Sequence, residues 1–536
     1  SMHCACVLLP RKAAPYSATD ALCFGFEKKV LTMNNNSPGS ALHTDVMIVG
    51  AGLSGIGAAV HLQTKCPDRD YMLIERRDAI GGTWDLFKYP GIRSDSDMHT
   101  LGYNFKPWRA KKAIADGPAI WDYVNETADE YGIRERTQFG HKLIDASWSS
   151  ESATWLLTVE TSEETRYFTC NFLLMCAGYY NYDAGHQPDF QGRDSFQGQW
   201  VHPQFWPDDL DYAGKRVVVI GSGATAMTLV PNMALKAEKV TMVQRSPTYV
   251  VSRPSVDAFA NFLRHILPAS WAYSLVRFKN TLWQQLIYNQ TRTNPDRVAE
   301  NLLGEVEKAV GDVVDVKKHF TPTYNPWDQR LCLVPDDDLF TALRTGKAEV
   351  VTDTISHIDA TGLVTGSGER IEADIIVSAT GIELLNLGGA EFSVDSKPVN
   401  FADEWTYKGV MCSNIPNMVQ TFGYINASWT LRADLTAEWV CRVLNHMDEF
   451  GYDQATPRIP DLLAKTMEKR FWIHDFSAGY MQRMMPKLPR QGTQMPWVNP
   501  QDFRKDKKMF RNSAVADGAL IFTDRNTQVA SVKQAS

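Results

Sequence analysis

The chain has 536 residues, which is long for one hydrophobic core and predicts two or three domains. Hydrophobic residues make up 44% and charged residues 22%, as in an ordinary globular protein, and the net charge of −7 offers no basic field for nucleic acid. The nine cysteines form no C-x-x-C pair, which favours reduced thiols in the cytoplasm, and no apolar run is long enough for a transmembrane span.

No coherent apolar pattern runs through the first 44 residues, which include a stretch rich in Asn and Ser. We therefore expect residues 1–44 to be a disordered leader or an added extension outside the fold. From Asp45 onward, apolar strands alternate with helical segments. This alternation predicts an α/β fold with parallel sheets.

A glycine fingerprint directly follows the apolar strand 45–49, with Gly50, Gly52 and Gly55 at its three positions. In such a fingerprint, the first glycine permits a sharp turn from strand to helix. The second lets the backbone approach a pyrophosphate, and the third lets the helix pack closely on the strand. The next strand ends at Glu75. An acid at this position of the fingerprint accepts a hydrogen bond from a ribose hydroxyl. This first site is therefore expected to bind a dinucleotide with an unphosphorylated ribose, as in FAD.

A second fingerprint follows the apolar strand 216–220, with Gly221, Gly223 and Ala226 at its three positions. The strand after it ends at Arg245 and Ser246 rather than at an acid. Because a guanidinium and a hydroxyl suit a 2′-phosphate that a carboxylate would repel, we expect NADPH here. The alternative is that Arg245 is a solvated arginine at a strand end. Two fingerprints on one chain indicate that one dinucleotide passes electrons to the other, as in a redox enzyme.

Two further buried strands, 172–178 and 374–381, each follow a fingerprint at a distance and end in glycine. We expect each of them to close one nucleotide-binding unit. The fold class predicted is therefore α/β, with two Rossmann-like dinucleotide-binding domains and the NADP domain inserted in the FAD domain. The expected boundaries are an FAD-binding domain at residues 45–205 and 381–506, an NADP-binding domain at residues 206–380, and a loosely packed tail at residues 507–536.

Aromatic and aliphatic residues recur at roughly helical spacing between residues 256 and 320. This spacing predicts a helical insertion in the NADP domain. Two interpretations remain open for its apolar side chains. They either pack toward a core as amphipathic helices, or they form a surface that associates weakly with a membrane or admits apolar substrates.

The segment 196–207 fits the pattern F-x-G-x-x-x-H-x-x-x-W-P at every fixed position, including His202 and Trp206. In this string the chain resembles the flavin-dependent (class B, type I) Baeyer–Villiger monooxygenases. Four other segments resemble the ethionamide-activating subgroup of that family: residues 81–85, 89–97, 324–330 and 426–429. The resemblance extends from about residue 45 to about residue 500.

This resemblance implies FAD and NADPH as cofactors and O₂ and small ketones or thioethers as substrates. A C4a-peroxyflavin would insert one oxygen atom next to a ketone carbonyl to give an ester or lactone, and sulfoxidation of thioethers or thioamides would be a second activity. The negative charge that develops in this chemistry calls for a permanent cation. The matching segments make that cation Arg330 and the acid that orients it Asp95, with Asp97 as an alternative acid.

The other expected site residues come from the same matches. Gly82, Thr83 and Trp84 would pass under the flavin. Asn426 and Trp429 would close the substrate side of the ring, although a lone tryptophan is more often part of a core. His202 is either a structural histidine or a catalytic one, and the resemblance favours a role in coupling the two domains across their linker.

Three other classes of protein were compared with this interpretation. Pyridine-nucleotide disulfide reductases also carry two fingerprints, but they need a cysteine pair after the first helix, where Cys66 stands alone. Trp206 and Arg330 argue against an N- or S-oxidising flavin monooxygenase without ketone activity. A non-enzymatic flavoprotein that senses NADPH remains an alternative. A monomer or homodimer without a bound metal is expected.

Overall fold

Two β-sheets, each built around one of the two fingerprint strands, organise the chain. A computed structural model describes residues 37–329, 331–474 and 476–524. Alternate residues of each fingerprint strand contribute to hydrophobic clusters on opposite faces of the sheet: Val46 and Ile48 lie on one face, and Met47 and Val49 on the other. Burial on both faces explains why these strands are continuously apolar.

The first sheet contains the first fingerprint. Its strand β1 pairs in parallel with β2 and β6, and β4, β5 and β6 form an antiparallel meander. The elements of this part are β1 (Leu42–Val49), α1 (Leu53–Lys65), β2 (Tyr71–Ile74), α2 (Thr83–Leu86), α3 (Met98–Leu101), α4 (Gly117–Glu130), β3 (Thr137–Gln138), β4 (Lys142–Ser149), β5 (Thr154–Glu160) and β6 (Thr165–Met175).

The second sheet contains the second fingerprint and is parallel throughout, in the order β13-β10-β9-β17-β8. The elements of this part are β7 (Tyr180–Gly185), β8 (Gln199–Val201), β9 (Arg216–Ile220), α5 (Ala224–Ala234), β10 (Lys239–Gln244), β11 (Val250–Arg253), α6 (Ala258–Ile266), α7 (Ala269–Thr293), α8 (Pro295–Val310), α9 (Val316–His319), β12 (Cys332–Pro335), α10 (Asp338–Arg344), β13 (Ala348–Thr352), β14 (Ile355–Asp359), β15 (Gly362–Thr365), β16 (Arg370–Glu372), β17 (Ile375–Ser378) and β18 (Ile382–Leu384).

The chain then returns to the first sheet, where β19 pairs with β4 and β23 pairs with β6. The remaining elements are β19 (Glu391–Val394), β20 (Lys397–Pro398), β21 (Thr406–Tyr407), β22 (Met411–Cys412), β23 (Met418–Gln420), α11 (Trp429–Phe450), β24 (Gln454–Pro457), α12 (Asp461–Thr466), β25 (Arg470–Phe471), α13 (Gly479–Met484), β26 (Arg490–Gln491), α14 (Phe503–Asn512) and β27 (Leu520–Thr523). This return confirms that one nucleotide-binding unit is inserted in the other.

The two connections between the sheets run side by side. Strand β7 leaves the first sheet, β18 leads back to it, and the two pair in an antiparallel ribbon. Strand β8, which the expected boundary at residue 205 assigns to the first domain, pairs with β17 in the second sheet. The crossing between sheets therefore comes before β8, because the apolar residues of β8 complete the edge of the second sheet.

The helical insertion is present as α6, α7, α8 and α9. Its large aromatic side chains do not all face a core, however. Small residues of α6 and α7, such as Ala260 and Ala272, are buried, whereas Phe262, Trp271 and Phe278 are exposed. The helices are amphipathic and bury one side, which includes Leu263 and Tyr273, but most of their large aromatic side chains lie on the solvent side.

Two expectations about the ends of the chain need correction. Residues 42–44 belong to β1, where they pair with β6, so the fold begins before residue 45. Residues 1–36, which make up most of the expected leader, lie outside the described part. Residues 507–524 are not loosely packed, because α14 buries Phe510 against α11 and β27 pairs with β24. Residues 525–536 of the expected tail lie outside the described part.

A buried ion pair fixes α14 to the rest of the fold. Asp506 of α14 and Arg432 of α11 are fully buried, with 3.7 Å between Oδ2 and Nε. The Tyr424 hydroxyl donates a hydrogen bond of 2.8 Å to the same Asp506 oxygen. Breaking such a pair leaves a buried charge without compensation.

We expect Asp506→Ala to lower the free energy of unfolding by about 3–5 kcal/mol, because Arg432 then remains buried without its partner. Lys507→Ala, at the adjacent exposed position of the same helix, should change it by less than about 0.5 kcal/mol. Urea unfolding followed by circular dichroism compares the two variants. Equal midpoints would show that the pair contributes little to stability.

Candidate functional site

One cavity of about 440 Å³ lies between the two sheets and receives both fingerprint turns. The carboxyl ends of parallel strands face it, as expected for ligand sites in open α/β sheets. Nine of the predicted residues line it: Gly50, Gly52, Glu75, Gly82, Thr83, Trp84, Asp95, Gly223 and Trp429. The cavity therefore connects the two predicted nucleotide sites.

The glycines of the first fingerprint are close to other backbone atoms. A Cβ atom at Gly50, whose φ is +106°, would lie 2.5 Å from the carbonyl oxygen of Cys176 at the end of β6. A Cβ at Gly55 would lie 1.8 Å from the carbonyl oxygen of Gly50. A Cβ at Gly52 would lie 3.4 Å from Cα of Gly82, so two backbones meet without side chains at the cavity wall. This cradle fits a pyrophosphate at the start of α1.

Glu75 is buried at the end of β2, and both its carboxylate oxygens accept backbone hydrogen bonds. Ala51 N donates to Oε2 at 2.8 Å and Arg77 N donates to Oε1 at 2.9 Å. Burial raises the pKa of Glu75, and these two donors act in the opposite direction. Glu75 lines the cavity, and a carboxylate with one donor on each oxygen can still accept from a ribose hydroxyl.

The three positions of the second fingerprint have different surroundings. Gly221 has a φ of +133°, and a Cβ there would lie 2.3 Å from the carbonyl oxygen of Ala379. A Cβ at Gly223 would meet no atom within 4 Å, so this position opens onto free space in the cavity. Ala226 is fully buried where α5 packs on the sheet. The turn thus has the geometry of a phosphate cradle.

Arg245 and Ser246 are exposed at the end of β10, beside this turn. The Ser222 hydroxyl donates to the Ser246 carbonyl oxygen at 3.0 Å, which ties the end of the strand to the fingerprint. Within the described ranges, Arg245 forms no ion pair with an acid. A guanidinium in this position is available to an anionic ligand bound over the turn.

The two candidate acids after Arg93 have different environments. Asp97 begins α3, accepts from the backbone N–H of Thr100 at 3.1 Å, and also receives hydrogen bonds from Asn280 and Gln284 of α7. Asp95 instead lines the cavity. The structure therefore separates a structural acid at position 97 from an acid that faces the cavity at position 95.

The two residues predicted to close the substrate side are also separated. Trp429 lines the cavity, and its Nε1 donates to the Ser54 hydroxyl at 2.8 Å. Asn426 is not among the lining residues, because its side-chain amide donates to the carbonyl oxygen of Gln501 at 3.0 Å. Tyr424, which the sequence analysis did not select, lines the cavity instead.

Other lining residues were also missed, notably Tyr179, Tyr180 and Tyr480. The first two directly follow the glycine that ends the closing strand of the first unit, which is a signal that could have identified them. The ring of Tyr179 lies 5.2 Å from that of Trp429. Tyr480 could not have been found in this way, because it comes from the short helix α13, distant in sequence.

His202 is buried beside the ribbon formed by β7 and β18. A Cβ at Gly185, the last residue of β7, would lie 2.0 Å from its ring. Nδ1 accepts a hydrogen bond from the backbone N–H of Gln204 at 3.2 Å. Burial lowers the pKa of His202, and the backbone of Gly381 partly offsets this effect, so the ring is neutral near pH 7. His202 does not line the cavity.

Arg330, the predicted catalytic cation, lies outside the described residues. The segment just before it is fixed from two directions. Arg292 of α7 forms an ion pair of 3.0 Å with Asp328, and the backbone N–H of Ser477 donates to the Asp328 carbonyl oxygen at 2.8 Å.

Neither a membrane-spanning helix nor a metal-binding cluster occurs in the described part of the chain. No helix there is long and apolar enough to cross a membrane. No group of three or more His, Cys, Asp or Glu side chains within those ranges is arranged to hold a metal ion.

Two glycine cradles on one cavity define a dinucleotide-binding α/β protein, and comparisons with known proteins identify its family. The family described as flavin-binding monooxygenase-like matches residues 114–478, and an NAD(P)-binding Rossmann-like domain matches residues 48–126. The first of these matches covers more than half of the chain. The chain belongs to the flavin-binding monooxygenase-like family and is therefore an oxidoreductase of the flavin monooxygenase class.

Curated relatives agree with this assignment. The chain is 48% identical to the FAD-containing monooxygenase EthA of Mycolicibacterium smegmatis, over 91% of this chain and 98% of that protein. It is 47% identical to the putative FAD-containing monooxygenase MymA of Mycobacterium tuberculosis, over 90% and 97%. It is 46% identical to the probable FAD-binding monooxygenase AlmA of Acinetobacter baylyi, over 91% and 97%.

Solved structures share the fold. An oxidised steroid monooxygenase bound to NADP is 21% identical, with a TM-score of 0.73, over 90% of this chain and all of that one. Cyclohexanone monooxygenase from Rhodococcus sp. Phi1 bound to NADP⁺ is 18% identical, with a TM-score of 0.72 and the same coverage. These comparisons confirm the predicted fold class and the resemblance to the Baeyer–Villiger monooxygenases and their ethionamide-activating subgroup.

The two glycines of the second turn provide a direct test of the cradle. Gly221→Ala should destabilise the fold by about 1–3 kcal/mol or more, because the new Cβ meets a backbone oxygen at a positive φ. Gly223→Ala should leave the melting temperature nearly unchanged, because its Cβ meets no other atom of the protein. It should still weaken nucleotide binding, because the same Cβ would keep the pyrophosphate away from the backbone. Thermal melting and nucleotide titration measure the two effects. Unchanged binding by Gly223→Ala would exclude a close backbone approach at this turn.

Proposed function

We propose that this protein is an FAD- and NADPH-dependent Baeyer–Villiger monooxygenase that converts ketones to esters or lactones and also oxidises the sulfur of thioethers or thioamides. The reaction consumes one O₂, one NADPH and one proton. One oxygen atom enters the product, the other leaves as water, and NADPH supplies the two electrons. The observation that carries the proposal is the single cavity shared by the two glycine turns.

FAD is assigned to the first turn. Gly50, Gly52 and Gly55 allow its pyrophosphate to approach the start of α1, and Glu75 accepts from its ribose. The segment with Gly82, Thr83 and Trp84 lies against Gly52 and gives the isoalloxazine ring a wall in the same cavity. FAD bound here and reduced by NADPH would supply the activated oxygen.

NADPH is assigned to the second turn, with its pyrophosphate at Gly223 and its 2′-phosphate beside Arg245 and Ser246. The adenosine end would then lie at the exposed end of β10. The nicotinamide end would reach the cavity that Gly52 and Gly82 also line, close to the flavin.

The chain's own charges complete the chemistry. Arg330 is proposed to stabilise the negative charge that develops on oxygen during insertion, since a guanidinium never gives up its proton. Asp95 faces the cavity and would orient that cation. Aromatic side chains that line the same cavity, among them Trp429 and Tyr179, would exclude water from the reacting atoms.

His202 is proposed to act as a positioning residue rather than a proton donor. Its neutral ring packs on Gly185, beside Gly381 at the start of β18, and so contacts both connections between the sheets. A change in the relative orientation of the sheets must therefore move or release this ring. NADPH binding on one sheet is thereby coupled to the flavin environment on the other.

Arg245→Ala tests the nucleotide assignment. We expect its preference for NADPH over NADH, measured as the ratio of kcat/KM values, to fall by about tenfold to a hundredfold, because a charge-assisted contact of about 1.5–3 kcal/mol is lost. Lys236→Ala, at an exposed position just before the same strand, is the matched control. A ratio equal to that of the control would remove Arg245 from the 2′-phosphate site.

Arg330→Ala tests the oxygenation chemistry. The variant should bind FAD and NADPH normally, because the cradles do not involve this residue. Its rate of ketone oxygenation should fall by about 10²–10³ because charge stabilisation is lost. The NADPH that it consumes should then yield H₂O₂ instead of ester. Arg330→Lys should rescue it poorly, since an ammonium lacks the planar fork of a guanidinium.

Ester formed per NADPH consumed, at saturating ketone, distinguishes the candidate functions. Arg504→Ala, at an exposed position of α14, is the control. Coupling retained in Arg330→Ala would remove Arg330 from the mechanism. Sulfoxide without ester from the wild type would favour an N- or S-oxidising enzyme. No oxygenated product with any ketone or thioether would favour a flavoprotein that senses NADPH.

A further inference from the structure

Helices α6 and α7 present their bulky apolar side chains to solvent. The exposed fractions are 68% for Trp271, 67% for Phe278 and 62% for Trp283. The buried side of the pair is made of small or medium side chains, including Ala260, Leu263, Ala272 and Val276. Large exposed apolar patches of this kind mark interaction sites.

The exposed residues form a continuous stripe. Trp271, Leu275, Phe278 and Leu286 recur at helical spacing along α7, with Trp283 beside them. Three further exposed residues extend the stripe onto α6: Phe259, Phe262 and Ile266.

Contacts on the inner side of α7 fix this orientation. The Tyr273 hydroxyl donates to the carbonyl oxygen of Tyr103 at 2.9 Å. Arg277 donates to the carbonyl oxygens of His99 and Gly102 at 2.8 and 2.7 Å. Because these bonds are buried or half-buried, α7 cannot turn its aromatic side inward without breaking them.

Basic residues accompany the stripe in sequence, although Arg277, Lys279 and Arg292 are paired with acids of neighbouring segments. Residues 258–295 contain Arg and Lys but no Asp or Glu, although the whole chain carries a net charge of −7. The same is true of residues 98–115. These two segments are in contact, because Arg264 donates to the carbonyl oxygens of Arg109 and Ala110 and Asn261 donates to that of Lys111.

We propose that this aromatic-basic face, formed by the exposed apolar residues of α6 and α7 with Arg109, Lys111, Lys112 and Arg264, docks on the surface of an anionic lipid bilayer. Tryptophan and phenylalanine side chains would enter the headgroup region while the cations contact lipid phosphates. A second copy of this chain fits the face less well. In a symmetric dimer the same cations would oppose one another.

Docking would place the active-site cavity close to the bilayer. The inner side of α7 donates Asn280 and Gln284 to Asp97, which begins α3. Residues 94–96 and Leu101 on either side of this contact line the cavity. One helix therefore separates the proposed lipid surface from the cavity wall.

Vesicle sedimentation tests the proposal with the intact holoenzyme. The wild type should bind phosphatidylcholine vesicles containing about 30 mol% phosphatidylglycerol much more tightly than pure phosphatidylcholine vesicles, and less tightly at high salt. Trp271→Ser combined with Phe278→Ser should weaken binding by about tenfold or more. Lys111→Gln combined with Lys112→Gln should weaken it by about fivefold per charge.

Matched controls replace exposed residues elsewhere. Leu235→Ser removes an exposed apolar side chain at the end of α5, and Lys507→Gln with Lys508→Gln removes two exposed charges of α14. Flavin content and melting temperature show whether each variant folds. If the variant with both Trp271→Ser and Phe278→Ser does not fold, Phe278→Ser alone replaces it.

Three results would overturn the proposal. The first is wild-type protein that stays in solution with anionic vesicles. The second is equal vesicle binding by the variants of the aromatic-basic face and by the control variants. A dimer that becomes monomeric in the face variants, without vesicle binding by the wild type, would show that the face is a subunit interface.

Discussion

Two dinucleotides exchange electrons only when their reactive ends meet, so this fold depends on keeping two glycine turns open to one cavity. The ribbon of β7 and β18 carries that constraint, because both connections between the sheets run through it. His202 packs against Gly185 at one end of this ribbon, where Gly381 of the other connection lies beside it. Its neutral, buried ring is suited to packing against these connections rather than to proton transfer.

The fingerprints were predictable because the physics they encode is local. Gly50 and Gly221 are required by a positive φ and a carbonyl oxygen within a few ångströms, and both requirements arise from the strand that precedes them and its neighbour in the sheet. The preference for Asp95 over Asp97 came from the family resemblance and not from local physics. In the structure the two acids are distinguished by Asn280 and Gln284, which reach Asp97 from a helix more than 180 residues later in the chain.

The same limit explains the other differences between sequence and structure. The polar composition after residue 507 indicated a loose tail, but Asp506 and Phe510 are buried by α11, whose position the sequence does not disclose. Asn426 matched a family segment, but Gln501 determines where its amide points. Helical spacing located α6 and α7 correctly, yet periodicity alone does not show which side of a helix meets the protein and which meets solvent.

Helix α7 links the exposed aromatic stripe to two segments beside the cavity. It has 25 residues, about 37 Å of helix, and its exposed side carries the aromatic stripe. Its last turn carries Arg292, whose ion pair with Asp328 fixes the segment that leads to Arg330. Its middle supplies the amides that bind Asp97, directly after the cavity-lining residues 94–96. Because one helix makes both contacts, its position sets the position of residues 94–96 and of the segment before Arg330 together. The insertion thus supports the cavity and is not only a surface addition.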